Sequence, residues 1–299
     1  MNPTRPYESR SDTTGEGRLI QVREAINQAA SVLDRAGIGP ARLEAELLLS
    51  RATGWPRPVV LIDSGKPVPR EALEAFSRLV ERRCRREPLQ QIVGETEFFG
   101  LKILVDSRVM APRPDTETLV ETVLKNWRPD FRTILEIGAG SGAVSVALAK
   151  NLEGAEITAT DLSPGALELA VENVRLHGLD ERVRLIKADI FPADHHKYDI
   201  IVSNPPYIPS AEIDALMPEV SRYEPRLALD GGADGLELYH RIMQGLPEHI
   251  GRPGLVAFEV GLGQAVRVSE IIAGSLPDAD LAVIMDLAGV DRVVVAQLH

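Results

Sequence analysis

One four-residue motif, Asn204-Pro205-Pro206-Tyr207, carries the most specific chemistry in this sequence. The nitrogen of an amide or an aromatic amine is a poor nucleophile, because its lone pair is delocalised. Two acceptors, the Asn204 side-chain oxygen and the Pro205 carbonyl, can hold such an NH2 group in line with an electrophile and stabilise the charge developing on nitrogen. We therefore expect Asn204, Pro205 and Tyr207 to be catalytic in a transfer to a planar nitrogen.

The same four residues are predicted to bind the substrate. Pro205 and Pro206 restrict the backbone and so direct the acceptors in advance, and the ring of Tyr207 can pack on a flat amide or base. A turn without function is the simpler interpretation of such residues. A predicted strand, residues 199–203, directly precedes the motif and places it at the carboxyl edge of a sheet, where open α/β folds bind ligands.

A glycine-rich loop upstream of the motif predicts a cofactor site. The loop joins a predicted strand to a helix, and its glycines let a ligand approach the N–H groups at the helix start. Asp161 ends the next strand and can accept hydrogen bonds from ribose hydroxyls. The predicted cofactor-binding residues are Gly138, Ala139, Gly140, Ser141, Gly142 and Asp161. The loop alone does not separate a nicotinamide cofactor from S-adenosylmethionine.

Four further residues have open roles. Asp189 and Ile190 follow the third strand, where they are expected to meet an adenine ring, although an aspartate there also suits a turn. Arg113 either binds a substrate carboxylate or steadies neighbouring structure. Glu259 ends a later strand and lines the pocket or belongs to an ordinary turn.

The composition limits the kinds of partner and compartment that we expect for this protein. The formal net charge of −11 opposes stable binding to nucleic acid, which depends on Lys and Arg at phosphates. The single cysteine, Cys84, fits the reducing cytoplasm, and neither a signal peptide nor an apolar run long enough for a membrane is visible. No metal is expected, because the adjacent His195 and His196 share no face and have no spaced partners.

These residues are positioned by four predicted segments. Residues 1–17 form a loose polar tail, and 18–87 show the three-and-four spacing of a small helical bundle that includes a long helix from about Pro69. Residues 88–108 alternate with period two, which predicts a β-hairpin linker containing Ile92 and Val93. Residues 109–299 form the catalytic domain.

The catalytic domain is predicted to be α/β, with a parallel, Rossmann-like sheet. Strands and helices alternate from residue 133 to 273, and Thr116 or Asp115 is expected to cap a helix of about 117–125. The last two strands, 281–286 and 292–298, are joined by a short turn and should pair antiparallel. That order is typical of class I S-adenosylmethionine methyltransferases.

The combined motifs resemble the release factor glutamine methyltransferases over nearly the whole chain from Leu19. The likeness implies methyl transfer from S-adenosylmethionine, with S-adenosylhomocysteine as product, to the Gly-Gly-Gln glutamine N5 of class 1 peptide chain release factors. It also implies that Asn204 contacts the cofactor and that the helical domain docks the release factor. The segments that carry the likeness are residues 94–100, 112–117, 204–207, 224–232 and 286–292.

Three alternatives remain. An adenine-N6 nucleic-acid methyltransferase shares the Asn-Pro-Pro-Tyr motif but needs a basic groove and space for a flipped base. A nicotinamide oxidoreductase explains the glycine loop and Asp161 but leaves the motif without a role. A non-catalytic S-adenosylmethionine sensor would tolerate a degraded motif, whereas this one is intact.

Overall fold

The computed structural model describes residues 19–194 and 196–299, so the predicted tail, residues 1–17, lies outside the described residues. The chain divides into two compact units. The first comprises the chain up to Gly94 together with Pro218–Tyr223, and the second comprises Glu95–Met217 and Glu224–His299. The chain therefore leaves the second unit for six residues and returns to it.

The first unit is a bundle of helices around an apolar core. Helix α1 is strongly amphipathic and buries Val22, Ile26 and Leu33 on one face, as its three-and-four spacing predicts. Its described helices are α1 (Val22–Arg35), α2 (Ala41–Thr53), α3 (Arg57–Ile62), α4 (Arg70–Cys84), α5 (Leu89–Val93) and, from the returning segment, α9 (Pro218–Ser221).

The predicted hairpin is present in β1 (Glu95–Phe98) and β2 (Leu101–Leu104), but helix α5 replaces its predicted start. Ile92 and Val93 lie in this short helix instead of a strand. Pro88 precedes its first turn, and Gly94 ends it in the left-handed conformation with φ of 85°. Proline before and glycine after a segment are helix boundary signals, and they outweigh a few residues of alternation.

Three arginines at the end of α4, Arg82, Arg83 and Arg86, are bound to carboxylates. Arg82 pairs with Glu87, while Arg83 and Arg86 both reach Glu219, a member of the same unit. Arg83 also contacts the buried Glu44 at 2.6 Å between Nε and Oε2. Their side chains therefore serve the unit's own structure.

The second unit contains a seven-stranded sheet, and the α/β prediction is confirmed. Its strand order is β5-β4-β3-β6-β7-β9-β8, parallel except for β9, which runs antiparallel to both neighbours. The strands are β3 (Thr133–Ile137), β4 (Glu156–Asp161), β5 (Val183–Lys187), β6 (Tyr198–Ser203), β7 (Ile250–Glu259), β8 (Asp280–Met285) and β9 (Asp291–Leu298). The predicted antiparallel pairing of the last two strands is thus correct.

Helices cover both faces of this sheet. Along β3, Ile134 points into one core, whereas Leu135 and Ile137 join the other, because side chains alternate across a strand. The first core is closed by α6 (Glu117–Asn126), α7 (Ala143–Asn151) and α8 (Pro164–Leu176) and by the hairpin β1 (Glu95–Phe98) and β2 (Leu101–Leu104). The second is closed by α10 (Glu237–His249) and α11 (Ala265–Ser275).

The strand order creates one switch point. From β3 the chain moves outward through β4 and β5, and then returns to place β6 on the other side of β3. The carboxyl ends of β3 and β6 are therefore neighbours from which connections diverge, and ligands of open α/β sheets bind in such a crevice. In the described part of the chain, every helix is too short or too polar to cross a membrane.

Candidate active site

A cavity of about 530 Å³ opens at this switch point, within the second unit. This volume lies within the range of small-molecule sites, roughly 300–1,000 Å³. Nine of the predicted site residues line it: Gly138, Ala139, Gly140, Ser141, Asp161, Asp189, Ile190, Asn204 and Pro206. The structure thus brings together segments that follow four different strands.

The glycine loop forms one wall. Gly140 has a φ of 53°, in the left-handed region, and its N–H donates to Asp161 Oδ2 at 2.9 Å. The other carboxylate oxygen accepts from the N–H of Ser163 at 2.8 Å. Each oxygen retains a second lone pair, so Asp161 is fixed in direction and can still accept from a ligand. Gly142 instead lies against Ala170 of α8, where a Cβ would come within 3.2 Å of the alanine Cβ.

Glu136 contributes a buried carboxyl to the same wall. It is 4% exposed and accepts a hydrogen bond from the Ser145 hydroxyl. Burial raises the pKa of Glu136 to about 8, and the nearby Asp161 adds to that rise while Ser145 opposes it. A cation in the cavity would favour the ionised form of Glu136.

Asp189 and Ile190 also line the cavity. Asp189 pairs with Arg241 at 2.8 Å, so its carboxylate is partly engaged. Ile190 has a φ of 77°, which is a strained conformation for a β-branched residue. The buried Thr160 hydroxyl donates to the Ile190 carbonyl at 2.7 Å and holds this turn. Strain of this kind concentrates at functional sites.

The Asn-Pro-Pro-Tyr motif follows β6, and only some of its residues line the cavity. Asn204 and Pro206 line it, whereas among the described residues Pro205 and Tyr207 lie outside its lining. Tyr207 packs at the edge of the core beneath α10 and α11. Burial raises the pKa of Tyr207 to about 12, helped by the carboxyl of Glu259, so its hydroxyl stays neutral.

Three glycines allow other chain segments to pack tightly against this motif. A Cβ on Gly231 would lie 2.8 Å from the Pro206 carbonyl oxygen, and one on Gly235 or Gly261 would collide with Tyr207 atoms. Gln264 Nε2 donates to the Tyr207 carbonyl at 3.0 Å, while its Oε1 accepts from the Gly261 N–H. The motif's backbone is therefore clamped by the turn after β7.

Thr116 and Glu259 support Asn204 from behind. Asn204 Nδ2 donates to Thr116 Oγ1 at 3.1 Å. Thr116 precedes α6 but makes no side-chain capping hydrogen bond, so the predicted capping role is wrong for this residue. Glu259 is the last residue of β7, directly before the turn, and it is 1% exposed. Among the described residues it lies outside the cavity lining. Burial raises the pKa of Glu259 to about 7.

Arg113 binds a carboxylate of the chain itself. Its Nη2 lies 2.8 Å from each oxygen of Glu224, whose side chain is 1% exposed. Arg113 lies outside the cavity lining of the described residues, although Pro112 and Pro225, each adjacent to one partner, line it. The ion pair thus joins two lining segments.

Thr116, Gln264 and Glu224 are site components that sequence reasoning did not assign to the site. Each acts through a partner far along the chain, such as Thr116 with Asn204, 88 positions away. His195, half of the rejected histidine pair, is not among the described residues. Within residues 19–194 and 196–299, no group of three or more His, Cys, Asp or Glu side chains is arranged to hold a metal.

Two family models match the chain. The model described as PrmC N-terminal domain matches residues 24–94, and the one described as Methyltransferase small domain matches residues 113–220. The matches fall on the helical bundle and on the part of the sheet that carries the cavity.

Curated relatives match over almost their full length. A release factor glutamine methyltransferase of Geobacter sulfurreducens is 43% identical over 282 residues, covering 94% of this chain and 98% of the relative. One from Chlorobaculum tepidum is 36% identical and covers 93% and 97%.

Solved structures share the fold at low identity. The hMettl16 catalytic domain in complex with MAT2A 3'UTR hairpin 6 has a TM-score of 0.55 at 16% identity, covering 74% of this chain and 82% of that one. The delta-N METTL16 MTase domain has a TM-score of 0.50 at 18% identity, covering 67% and 90%. These structures support the methyltransferase architecture of the second unit.

Proposed function

Because the chain belongs to the release factor glutamine methyltransferase family, we propose that it methylates the Gly-Gly-Gln glutamine of class 1 release factors. The methyl group would come from S-adenosylmethionine and reach the side-chain amide N5. One observation carries the proposal: Asn204 and the glycine loop line one cavity at the switch point of the sheet. We assign the activity to the cytoplasm, where release factors act.

The cavity suits S-adenosylmethionine in volume and in the chemistry of its lining residues. Asp161 and the loop N–H groups would hold the ribose and the amino-acid part, and Ile190 offers an apolar surface for adenine. The buried Glu136 carboxyl favours a ligand that carries positive charge. When bound, S-adenosylmethionine supplies an electrophilic methyl group from its sulfonium centre.

The substrate amide would be held by the Asn-Pro-Pro-Tyr motif. Asn204 Oδ1 and the Pro205 carbonyl would accept the two N–H groups of the glutamine, which aligns its nitrogen and stabilises its developing positive charge. No general base is needed before transfer, because the proton leaves after the nitrogen becomes acidic. The Tyr207 hydroxyl stays neutral, and the ring of Tyr207 would pack on the flat face of the substrate amide.

Charge favours a protein over a nucleic-acid substrate. The net charge is −11, and three of the four arginines in the densest basic cluster, Arg82, Arg83 and Arg86, pair with carboxylates of the chain. An adenine-N6 activity would require free cations along a nucleic-acid groove. Arg113 is likewise bound to Glu224, so we propose that it shapes the substrate site indirectly.

The test is methyl transfer in a purified system. The full chain, labelled S-adenosylmethionine and a class 1 release factor should give label on the Gly-Gly-Gln glutamine. Asn204→Ala should abolish transfer, whereas Asn151→Ala, at the exposed end of α7, should leave it unchanged. A release factor with that glutamine replaced by alanine should take no label. Label on DNA adenine, with none on the release factor, would reject the proposal.

A further inference from the structure

The buried end of β7 carries a carboxyl group that the proposed chemistry does not use. Glu259 is 1% exposed, and its Oε2 has no hydrogen-bond partner among the described residues. A buried carboxyl group is unfavourable unless neighbouring groups bind it. Since Glu259 lies directly behind Asn204, its neighbours indicate what it does there.

Four chain segments present polar or charged groups to Glu259. Strands β6 and β7 pair in parallel with Ser203 opposite Phe258, so the next residues, Asn204 and Glu259, are neighbours. The Thr116 hydroxyl and the Asn204 amide favour the ionised form of the Glu259 carboxyl as hydrogen-bonding neighbours, and Arg292 of β9 and Asp115 act on it through their charges. The phenol of Tyr207 also faces it, and Tyr239 of α10 donates to its backbone carbonyl at 2.7 Å. Arg292 is the cation of this group, and it is shared with Asp286 and Asp115.

The hydrogen bonds have one consistent direction when Glu259 is ionised. A carboxylate only accepts, so the single proton of the Thr116 hydroxyl points to Glu259. The Thr116 oxygen then accepts from Asn204 Nδ2, as the 3.1 Å contact shows. Thr116 therefore uses one N–H of Asn204, and an ionised Glu259 carboxyl favours the orientation in which the amide nitrogen, and not the oxygen, lies on this side. Oδ1 remains as the amide atom available to the cavity.

We infer that Glu259 is a positioning residue that holds the Asn204 side chain in the orientation that presents Oδ1, and not Nδ2, to the substrate. An asparagine amide is nearly symmetric in shape, so packing alone does not choose between its two flips. The Glu259 carboxylate behind Asn204 therefore determines which of the two amide orientations is favoured. This inference rests on the proposed function, because it assumes that Oδ1 must accept from the substrate amide.

Protonation of Glu259 removes this control. A neutral carboxyl can donate to Thr116, whose hydroxyl proton can then turn to Asn204 and favour the opposite flip. Burial raises the pKa of Glu259 to about 7, while Thr116, Arg292 and Asn204 oppose the rise and Asp115 adds to it. The fraction of correctly oriented Asn204 should therefore fall as pH falls through about 7.

The kinetic test compares Glu259→Gln with the wild-type chain at saturating cofactor. Glu259→Gln should lower kcat on the order of 10²-fold, as for a misplaced reacting group, with KM for the release factor changed less than about 3-fold. The wild-type kcat should show an acid limb near pH 7 that the variant lacks. Thr116→Val should behave like Glu259→Gln, and Thr116→Ser should restore activity.

Glu46→Gln is the matched control, since Glu46 is 4% exposed but lies in the helical unit. It should keep the wild-type kcat and pH profile. Wild-type kcat in Glu259→Gln would overturn the inference, as would a loss confined to cofactor affinity or thermal stability. Absence of any methyl transfer by the wild-type chain would instead reject the proposed function.

A second measurement does not depend on turnover. The side-chain amide resonance of Asn204, assigned by its loss in Asn204→Ala, should titrate near pH 7 in the wild-type chain and not in Glu259→Gln. A resonance that is insensitive to pH from 5.5 to about 9 would overturn the inference whether or not the chain methylates a release factor.

Discussion

Gln264 donates from Nε2 to the backbone carbonyl of Tyr207 at 3.0 Å, and its Oε1 accepts from the Gly261 N–H at 3.0 Å. One side chain thus joins the turn after β7 to the Asn-Pro-Pro-Tyr motif. Both hydrogen bonds are made by an amide that has a donor and an acceptor at opposite corners. No other side-chain type of this length offers the same pair.

The first prediction follows from that pairing. Gln264→Glu keeps the acceptor for Gly261 but sets a carboxylate oxygen against the Tyr207 carbonyl, so we expect the motif to shift. The methyl-transfer kcat should fall about 10-fold or more, because small displacements of reacting groups are costly. Steady-state kinetics with a release factor would measure it.

Gln297→Glu is the control, because Gln297 also donates to an oxygen, that of Asn126, on an exposed surface of the sheet. It should have the wild-type kcat. Equal activity of Gln264→Glu and the wild-type chain would show that the clamp is not needed for catalysis.

The location of the site was predictable because it depends on local patterns. A strand of apolar residues before Asn204, and another before the glycine loop, are enough to place both at the carboxyl edge of a parallel sheet. The residues that support Asn204 were not predictable in the same way. Thr116 and Glu259 come next to Asn204 only through strand order and helix packing. A threonine before a helix also has the same local sequence pattern whether or not its side chain caps the helix.

The second prediction concerns backbone strain at Ile190. Its φ of 77° penalises any residue with a Cβ, by roughly 1–2 kcal/mol. Ile190→Gly and Ile190→Ala remove nearly the same apolar contacts, but only glycine removes the strain. The glycine variant should therefore be the more stable of the two by about 1 kcal/mol. Urea unfolding measures the difference.

Leu185 in β5 provides the reverse case, since its strand backbone has an ordinary φ and the glycine variant should be the less stable one. Both Ile190 variants should also bind S-adenosylmethionine more weakly than the wild-type chain. Equal stability of Ile190→Gly and Ile190→Ala would mean that the strain is relieved by local relaxation.

The third prediction is a pH dependence of stability due to Glu136. Burial raises its folded pKa to about 8, above the ordinary value of 4.5. A group with a raised folded pKa stabilises the protein below its unfolded pKa, and this contribution is lost as pH rises toward the folded pKa. Glu136→Gln is permanently neutral and avoids that loss. Its stability relative to the wild-type chain should increase between pH 5 and 8, by up to about 1.4 kcal/mol per pH unit.

Unfolding free energies measured across this pH range test the slope. Glu156→Gln, on the exposed start of β4, should run parallel to the wild-type chain. Saturating S-adenosylmethionine should reduce the effect in the wild-type chain, because its positive charge favours the ionised carboxyl. A flat difference between Glu136→Gln and the wild-type chain would place the Glu136 pKa near that of an exposed glutamate.

The last prediction addresses the buried ion pairs of the helical unit. Arg83 contacts Glu44 at 2.6 Å and Glu219 at 2.9 Å, and all three side chains are at most 13% exposed. Removing a cation from such a site leaves buried carboxylates without compensation, at about 3–5 kcal/mol. Arg83→Met should therefore loosen the unit, and hydrogen exchange should accelerate in peptides from α2, α4 and 218–223.

Two further variants separate burial from charge. Arg70→Met breaks a pair with Glu74 in which the side chains are 92% and 58% exposed, so it should leave exchange unchanged. Adding Glu44→Leu to Arg83→Met should restore much of the protection, because Glu219 keeps Arg86 at 2.9 Å and no isolated buried carboxylate remains at Glu44. Protection that is no better in the double variant would show that packing by the arginine side chain, more than its charge, holds the unit together.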